Sequence, residues 1–274
     1  MISVGRILFL LFFLSATMAL GQQLPPAAGD ADTNFHIYIL MGQSNMAGRG
    51  EISRKYEKKG HGRLLMLNKN NEWVPAAHPL HFDKPKIAGV GPGLSFGIRM
   101  AKARPGTRIG LVPCAVGGTR ISKWEPGVFD KVTKTHPWDD AVLRIREAMA
   151  SGVIKGVLWH QGEGDSNPEN ASSWLNKLAL LIGRLREETG NAALPFVAGE
   201  LGRYRENYGL INRELARLPD TVAFTAVVSS KGLRHKGDGT HLNSSSARKM
   251  GKRFARAMRA IESRASENTK GHLK

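Results

Sequence analysis

The run from Phe35 to Met41 is the feature that most constrains the fold. Apart from His36, every residue in it is apolar, and the run stops abruptly at Gly42. A strand that is covered on both faces of a parallel sheet has this pattern. The next residues, Gly42-Gln43-Ser44-Asn45, require a turn at the carboxyl end of the strand, where open α/β sheets bind their ligands. We therefore expect Ser44 to be held at the ligand-binding edge of an α/β sheet.

A second pattern supplies partners for this serine. On its own, a serine after a strand more often caps the next helix than it reacts. Near the other end of the chain, however, Asp238 precedes His241 by three residues in a glycine-bearing loop. One turn of backbone can bring that carboxylate onto the imidazole and leave the far ring nitrogen free, which gives a base with its orienting group. Ser44, Asp238 and His241 together predict nucleophilic catalysis, although the G-x-S-x-G elbow of α/β-hydrolases is absent.

Two further predicted strands end in residues that suit acyl transfer. The strand Arg108 to Pro113 continues into Gly117-Gly118-Thr119, where a backbone N–H without a neighbouring side chain can approach an oxyanion. The strand Val153 to Trp159 continues into His160-Gln161-Gly162-Glu163. A side-chain amide such as that of Gln161 can donate to developing negative charge without changing its protonation state.

Taken together, these blocks resemble a known family. Gly42-Gln43-Ser44-Asn45, Gly117-Gly118-Thr119, Trp159-His160-Gln161-Gly162-Glu163 and Asp238-Gly239-Thr240-His241 occur in this order over about 200 residues. The set is similar to the sialate O-acetylesterase-like branch of the SGNH hydrolases, which includes carbohydrate acetylesterases. The resemblance is specific for the superfamily and much less so for the substrate.

The resemblance implies a role for each matching residue. Ser44 would be the nucleophile, His241 the base that takes its proton, and Asp238 the group that fixes the imidazole tautomer. Glu163 is a second carboxylate that would either compete with Asp238 for the histidine or hold the strand-end loop. Asp238 is preferred because its three-residue spacing to His241 lies within one loop.

The same resemblance implies an oxyanion hole. Its donors would be the backbone N–H groups of Ser44 and Gly118 and the side-chain amide of Gln161, which stands where the wider superfamily has an asparagine. Gly117 is an alternative backbone donor. Gln43 and Asn45 would support the site, together with Glu163.

The order of strands and helices predicts a three-layer α/β/α sandwich of the SGNH or flavodoxin-like type. Its central sheet would be mostly parallel and five-stranded, with strands at Phe35–Met41, Arg108–Pro113, Val153–Trp159, Leu194–Leu201 and Thr221–Val228. A small hairpin over Arg63–Leu67 and Trp73–Val74 would lie beside this sheet, and the last helix would cover Ser245–Arg264. The esterase domain is expected to span residues 34–265, with a polar tail over 266–274.

The N-terminus has the pattern of a signal peptide. Arg6 precedes an unbroken apolar run from Ile7 to Leu14, and small residues at Ala19 and Gly21 frame a cleavage site. Residues 1–21 are therefore interpreted as a signal peptide and residues 22–33 as a disordered linker. This predicts a secreted or periplasmic protein, which would be membrane-anchored if the segment were not cleaved.

The net charge and the glycine-rich run limit which binding partners can be expected. The chain has 274 residues, a formal net charge of +17 and one cysteine. Nucleic-acid binding is not expected, because the basic residues are scattered and no nucleic-acid module is visible. Adsorption to anionic polysaccharide fits better, and a solvated basic surface without a partner is the simpler alternative. The glycine-rich run from Gly89 to Gly93 lacks the P-loop pattern, so no cofactor is predicted, and no metal site is predicted either.

These observations predict a secreted serine esterase that removes O-acetyl groups from sialic acid, xylan or a related acetylated glycan through an acetyl-serine intermediate. The alternatives are a lipase or general carboxylesterase for non-carbohydrate esters and a non-catalytic glycan-binding module. Three tryptophans, Trp124, Trp138 and Trp159, would either offer a flat surface to a sugar ring or pack in the core.

Overall fold

The structure is a computed structural model that describes residues 31–54, 56 and 60–271. The predicted signal peptide and residues 22–30 of the predicted linker lie outside the described residues. The first strand begins at Asp32, so the last two linker residues, Asp32 and Thr33, belong to the strand.

A seven-stranded sheet forms the centre of the fold. In chain order its strands are β1 (Asp32–Gly42), β2 (Leu64–Leu67), β3 (Trp73–Pro75), β4 (Arg108–Pro113), β5 (Gly152–His160), β6 (Phe196–Gly199) and β7 (Thr225–Val228). They lie in the spatial order β3-β2-β4-β1-β5-β6-β7, and only β3 runs antiparallel to its neighbour. The mostly parallel sheet is thus confirmed.

The expected count of five strands is too low, because the predicted hairpin does not stand apart from the sheet. Its first strand pairs in parallel with β4, with Leu64 opposite Ile109, and so extends the sheet by two strands. The strand predicted over Thr221–Val228 begins too early, since Thr221 ends the preceding helix and β7 begins at Thr225.

Helices cover both faces of the sheet and give the predicted three layers. They are α1 (Ser44–Ala47), α2 (Gly93–Ala103), α3 (Pro137–Met149), α4 (Pro168–Glu188), α5 (Tyr208–Thr221) and α6 (Ser244–Gly271). Buried side chains of α3, α4 and α5 form one core with one face of the sheet, and those of α1, α2 and α6 form a second core with the other face.

Strand β1 lies between these two cores and contributes side chains to both. Its side chains alternate, so that Ile37 and Ile39 enter one core while Tyr38 and Leu40 enter the other, and all four are fully buried. Burying a side chain of this size stabilises a fold by about 1.5–3 kcal/mol relative to leaving it exposed. The end of β1, which leads into the candidate nucleophile, is therefore fixed from both sides.

The three tryptophans pack in the interior. Trp124 and Trp159 are fully buried and meet edge to face, with ring centroids 5.3 Å apart. Trp138 is only 7% exposed and takes part in the same core. Of the two interpretations of these residues, core packing is the one the fold supports.

The final helix is longer than predicted. Helix α6 continues from Ser244 to Gly271, so most of the expected polar tail is helical. Across the described ranges of the chain, no helix is both long enough and apolar enough to cross a membrane.

Candidate active site

Ser44 lies directly beyond the carboxyl end of β1, at the first position of α1. The turn is tight, because the backbone N–H of Gln43 donates to the carbonyl of His160 at 2.9 Å. Gly42 has a φ of +120°, and a Cβ at that position would lie 2.3 Å from the same carbonyl oxygen. Only glycine therefore lets β1 approach β5 closely enough to set Ser44 at this point.

His241 and Asp238 meet Ser44 there. His241 Nε2 lies 3.0 Å from Ser44 Oγ, and His241 Nδ1 lies 2.7 Å from Asp238 Oδ2. The other oxygen of Asp238 accepts the backbone N–H groups of Thr240 at 2.9 Å and His241 at 2.8 Å. The predicted residues thus form one continuous chain of contacts from the carboxylate to the hydroxyl.

The environment of Asp238 favours its ionised form. Its partial burial acts to raise the pKa, but hydrogen bonds from the backbone and the ring of His241 and from the backbone of Thr240 outweigh that effect. The pKa of Asp238 is consequently held well below its usual range. A carboxylate that stays charged can fix the Nδ1–H tautomer of His241 and stabilise the imidazolium once it forms.

Asn45 clamps the serine turn to the histidine loop. Its Nδ2 donates to the carbonyl of Thr240 at 3.1 Å, and its Oδ1 accepts the backbone N–H of Leu242 at 2.8 Å. These two groups flank His241 on either side. Asn45 is only 3% exposed, so water does not compete for these bonds.

Glu163 bonds to the same clamp, and no hydrogen bond joins it to His241 among the described residues. Its Oε1 accepts the second N–H of the Asn45 amide at 2.5 Å, and it lies 3.9 Å from His160 Nδ1. Burial raises the pKa of Glu163. In the described part of the structure, Glu163 Oε2 has no hydrogen-bond partner. Of the two carboxylates weighed for the contact with His241, Asp238 is the one that makes it.

Two backbone N–H groups at the serine turn and the glycine turn have no acceptor among the described residues. They belong to Ser44 and Gly118. A Cβ on the adjoining Gly117 would lie 3.4 Å from Ser44 Cβ, so the Gly117-Gly118 turn packs directly against the serine. Both predicted backbone donors are therefore available to an oxyanion.

Gly117 is not available in this way. Its N–H donates to Asp83 Oδ2 at 2.8 Å, so the alternative assignment of Gly117 as oxyanion donor is wrong for this structure. Asp83 also accepts Arg49 Nη2 at 2.6 Å, and the two side chains are 3% and 2% exposed. Burial acts to raise the pKa of Asp83, but the bond to Arg49 prevails and lowers it.

Gln161 does not face the serine, and its assignment as an oxyanion donor is corrected. Successive side chains of an extended chain point to opposite sides, so Gln161, two residues after Trp159, lies on the same side as Trp159, in the core below α4. Its Nε2 donates to the carbonyl of Thr119 at 3.1 Å and to Asp165, while its Oε1 accepts Trp174 Nε1 at 3.0 Å. Fully buried, this amide holds the Gly117-Gly118-Thr119 turn in place.

Gln43 is also buried, and its Oε1 has no partner among the described residues.

Sequence reasoning missed two residues of the site, Arg49 and Asp83. Arg49 lies between two glycines, Gly48 and Gly50, which is a weak signal for a cation held in a turn. Asp83 lies in an irregular stretch and follows no motif, so only the fold brings it to Gly117. Within residues 31–54, 56 and 60–271, no group of three or more His, Cys, Asp or Glu side chains could hold a metal ion.

A three-layer fold with these groups at the carboxyl edge of its sheet is of the SGNH hydrolase type. Residues 34–260 match the family described as carbohydrate esterases, sialic acid-specific acetylesterases. The chain belongs to this family, which supports carbohydrate O-deacetylation as its general activity.

Individual relatives agree with this assignment. A probable carbohydrate esterase of Arabidopsis thaliana is 33% identical over 263 residues, covering 86% of this chain and 95% of the relative. An X-ray structure of an Arabidopsis thaliana protein is similar with a TM-score of 0.74 and 32% identity, covering 84% of this chain and 99% of that chain. The crystal structure of NanS shares the fold with a TM-score of 0.67 at 18% identity, over 85% of this chain and 98% of that chain.

The clamp on the histidine loop generates a first prediction. Asn45→Ala removes both contacts that flank His241, and we expect kcat for an acetate ester to fall by about 10- to 100-fold, since a misplacement of 1 Å can cost that much. The matched control is Asn212→Ala, because Asn212 bonds both the N–H and the carbonyl of Leu201 but touches neither Ser44 nor His241. Equal kcat in the two variants would show that the clamp does not position His241.

The ion pair beneath the oxyanion turn generates a second prediction. Asp83→Asn removes the charge that holds Gly117 and leaves Arg49 unpaired. We expect kcat to fall at least about tenfold, toward the 10²- to 10³-fold loss typical of a missing oxyanion donor, with little change in KM. The control, Glu262→Gln, weakens the contact of Glu262 with Arg104. It should lower the melting temperature without affecting kcat; a wild-type kcat in a destabilised Asp83→Asn variant would contradict the positioning role.

Proposed function

We propose that this protein is a serine esterase that removes O-acetyl groups from carbohydrate through an acetyl-serine intermediate. The observation that carries the proposal is the contact chain from Asp238 through His241 to Ser44, with successive separations of 2.7 and 3.0 Å. A hydroxyl, an imidazole and a carboxylate in this arrangement form an activated nucleophile, whatever the fold that holds them.

In the first half of the reaction, His241 Nε2 takes the proton of Ser44 Oγ as the oxygen attacks the ester carbonyl. The tetrahedral oxyanion accepts hydrogen bonds from the backbone N–H groups of Ser44 and Gly118. The bond to the sugar oxygen then breaks, and His241 returns its proton to that leaving oxygen. Asp238 stays ionised throughout and stabilises the transient imidazolium.

In the second half, a water molecule replaces the sugar alcohol. His241 takes a proton from this water as it attacks the acetyl-serine, the oxyanion is held by the same two donors, and Ser44 leaves with the proton returned by the imidazole. The products are acetate and the regenerated serine. Glu163 acts indirectly, because it orients the amide of Asn45, which in turn clamps the His241 loop.

The acetylated sugar is proposed only as a class. The family is described as sialic acid-specific, and sialic acid, xylan or a related acetylated glycan are the candidate substrates. Acetate release from a panel of these glycans would rank them. A lipase would instead prefer long acyl chains in a series of nitrophenyl esters.

The N-terminal sequence supports a proposal on location. We infer from Arg6, the apolar run Ile7–Leu14 and the small residues Ala19 and Gly21 that residues 1–21 direct the protein to the periplasm or the exterior. If the segment stays uncleaved, it anchors the esterase domain to the membrane.

The outer face of α6 supports a second proposal, adsorption to anionic polysaccharide. Lys249, Lys252, Arg256 and Arg259 are exposed and follow one another at intervals of three or four residues, so they form one stripe along the helix. Such a row attracts polyanions at low salt.

The nucleophile assignment has a direct test. Ser44→Ala should abolish hydrolysis of p-nitrophenyl acetate and labelling by a fluorophosphonate probe, while the melting temperature stays close to that of the wild type. The reason is that the variant loses the attacking oxygen but no core contact. Wild-type turnover by Ser44→Ala would refute the mechanism. A purely glycan-binding protein would fail to label even as the wild type.

The basic stripe is tested separately. The double variant Lys252→Glu/Arg256→Glu should lose retention on polygalacturonate at low salt, whereas Lys69→Glu/Arg213→Glu, with the same change of net charge elsewhere on the surface, should keep it. Retention of the wild type should decrease as salt shortens the Debye length to about 8 Å at 0.15 M. Equal loss in the two variants would assign the effect to net charge alone.

A further inference from the structure

A pocket of about 250 Å³ lies beyond the carboxyl end of β4, beside the candidate active site. The segment after β3, the residues that follow β4, the loop over residues 130–135 and the start of α3 form its walls. None of Ser44, Asp238 and His241 lines it. The proposed chemistry therefore does not account for this pocket.

The pocket adjoins the oxyanion turn. Val116, which lines it, immediately precedes Gly117, and the Asp83 carboxylate at its wall accepts the Gly117 N–H at 2.8 Å. Lys84 also lines the pocket, and its Nζ lies 3.7 Å from where a Cβ on Gly118 would stand. A molecule that extends from Ser44 across this turn would enter the pocket.

The lining combines an apolar surface with hydroxyl and carboxylate groups. Phe82, Val116 and Ala141 contribute apolar surface, and the hydroxyls of Thr133 and Thr135 lie 2.8 Å from one another. Asp140 also lines the pocket, and one of its oxygens accepts the backbone N–H of His136. A pyranose ring presents the same combination, with apolar C–H faces and hydroxyl groups around its edge.

The charges at the pocket favour a neutral ring over an acidic one. The guanidinium of Arg144 donates to the carbonyls of Leu67, Asn68 and Pro113 and is therefore not free to hold a carboxylate. Arg144 keeps its positive charge, because carbonyl oxygens are neutral acceptors. Among the residues that line the pocket, the cations Lys84 and Arg144 are therefore balanced by the carboxylates Asp83 and Asp140.

We propose that this pocket is a subsite for a neutral pyranose unit that neighbours the acetylated unit along the same glycan. This inference rests on the proposed function and adds a preference to it: an acetylated oligosaccharide is a better substrate than an acetylated monosaccharide. Pockets for drug-sized ligands enclose about 300–1,000 Å³, so the smaller volume here suits a single ring.

Two variants of the same loop separate the subsite from general effects. Thr135→Trp fills the pocket, whereas Val132→Trp adds the same bulk at a position that is 84% exposed and does not line the pocket. With acetylated xylotriose or mannotriose as substrate, Thr135→Trp should raise KM about tenfold at an unchanged kcat, as expected when binding common to ground and transition states is lost. Neither variant should alter the hydrolysis of p-nitrophenyl acetate, which is too small to reach the subsite.

Phe82→Ala provides a second variant in case the tryptophan disturbs the loop. It removes the aromatic wall without adding bulk and should also raise KM for the trisaccharides alone. An unchanged KM in both pocket variants would overturn the subsite. An equal loss on p-nitrophenyl acetate would overturn it as well, because the pocket would then serve the acyl group or the serine itself.

Binding measurements keep this result distinct from a failure of the esterase proposal. Unacetylated xylotriose and mannotriose, titrated calorimetrically into the wild type and into Ser44→Ala, should bind equally to both and more weakly to Thr135→Trp. If Ser44→Ala kept full esterase turnover but this binding pattern held, the mechanism would fail and the subsite would stand. If only an acidic oligosaccharide bound, the assignment of a neutral ring would be wrong.

Discussion

The hydrogen bonds of one buried amide hold the site together. Asn45 follows the serine, and its side chain bonds to the residues on both sides of His241, a connection across 197 positions of the sequence in the case of Leu242. This connection ties the position of His241 to that of the residue after Ser44 and so supports the separation of 3.0 Å between the side chains of Ser44 and His241. The amide makes the two loops one rigid unit, and it can do so because Glu163 occupies its remaining N–H.

A group of buried polar side chains supports this unit from below. Two pairs of side chains, Asp83 with Arg49 and Gln161 with Asp165, are shielded from water, and each pair contacts the turn from Gly117 to Thr119. Burying such groups is costly unless they are bonded to one another, so they stabilise the fold less than apolar residues of the same size would. They fix the orientation of the turn through bonds to the Gly117 N–H and the Thr119 carbonyl, and the N–H of Gly118 between these two residues has no acceptor among the described residues.

The sequence predicts the parts of this arrangement that depend on local pattern. The apolar run of β1, the glycine turn after it and the Asp238–His241 spacing are all readable over a few residues, and the structure has them as expected. The direction of the Gln161 side chain cannot be predicted in this way. It depends on which face of the sheet the side chains at the end of β5 point to, and a local pattern does not give that. Asp83 is harder still, since its partner Arg49 is 34 residues away and no spacing rule connects them. The two additional strands of the sheet were missed for the same reason. A hairpin can be predicted from a local pattern, but its pairing with β4 cannot.

In the proposed catalytic unit, the base and its carboxylate partner remain outside the core. The side chains of His241 and Asp238 are 25% and 35% exposed, while Ser44 is only 6% exposed. In the proposed mechanism, the solvent-exposed imidazole can exchange protons with the bulk, and the water for deacylation can arrive from the same side. An exposed site of this kind suits, in the proposed mechanism, ester groups that protrude from a polymer too large to be enclosed.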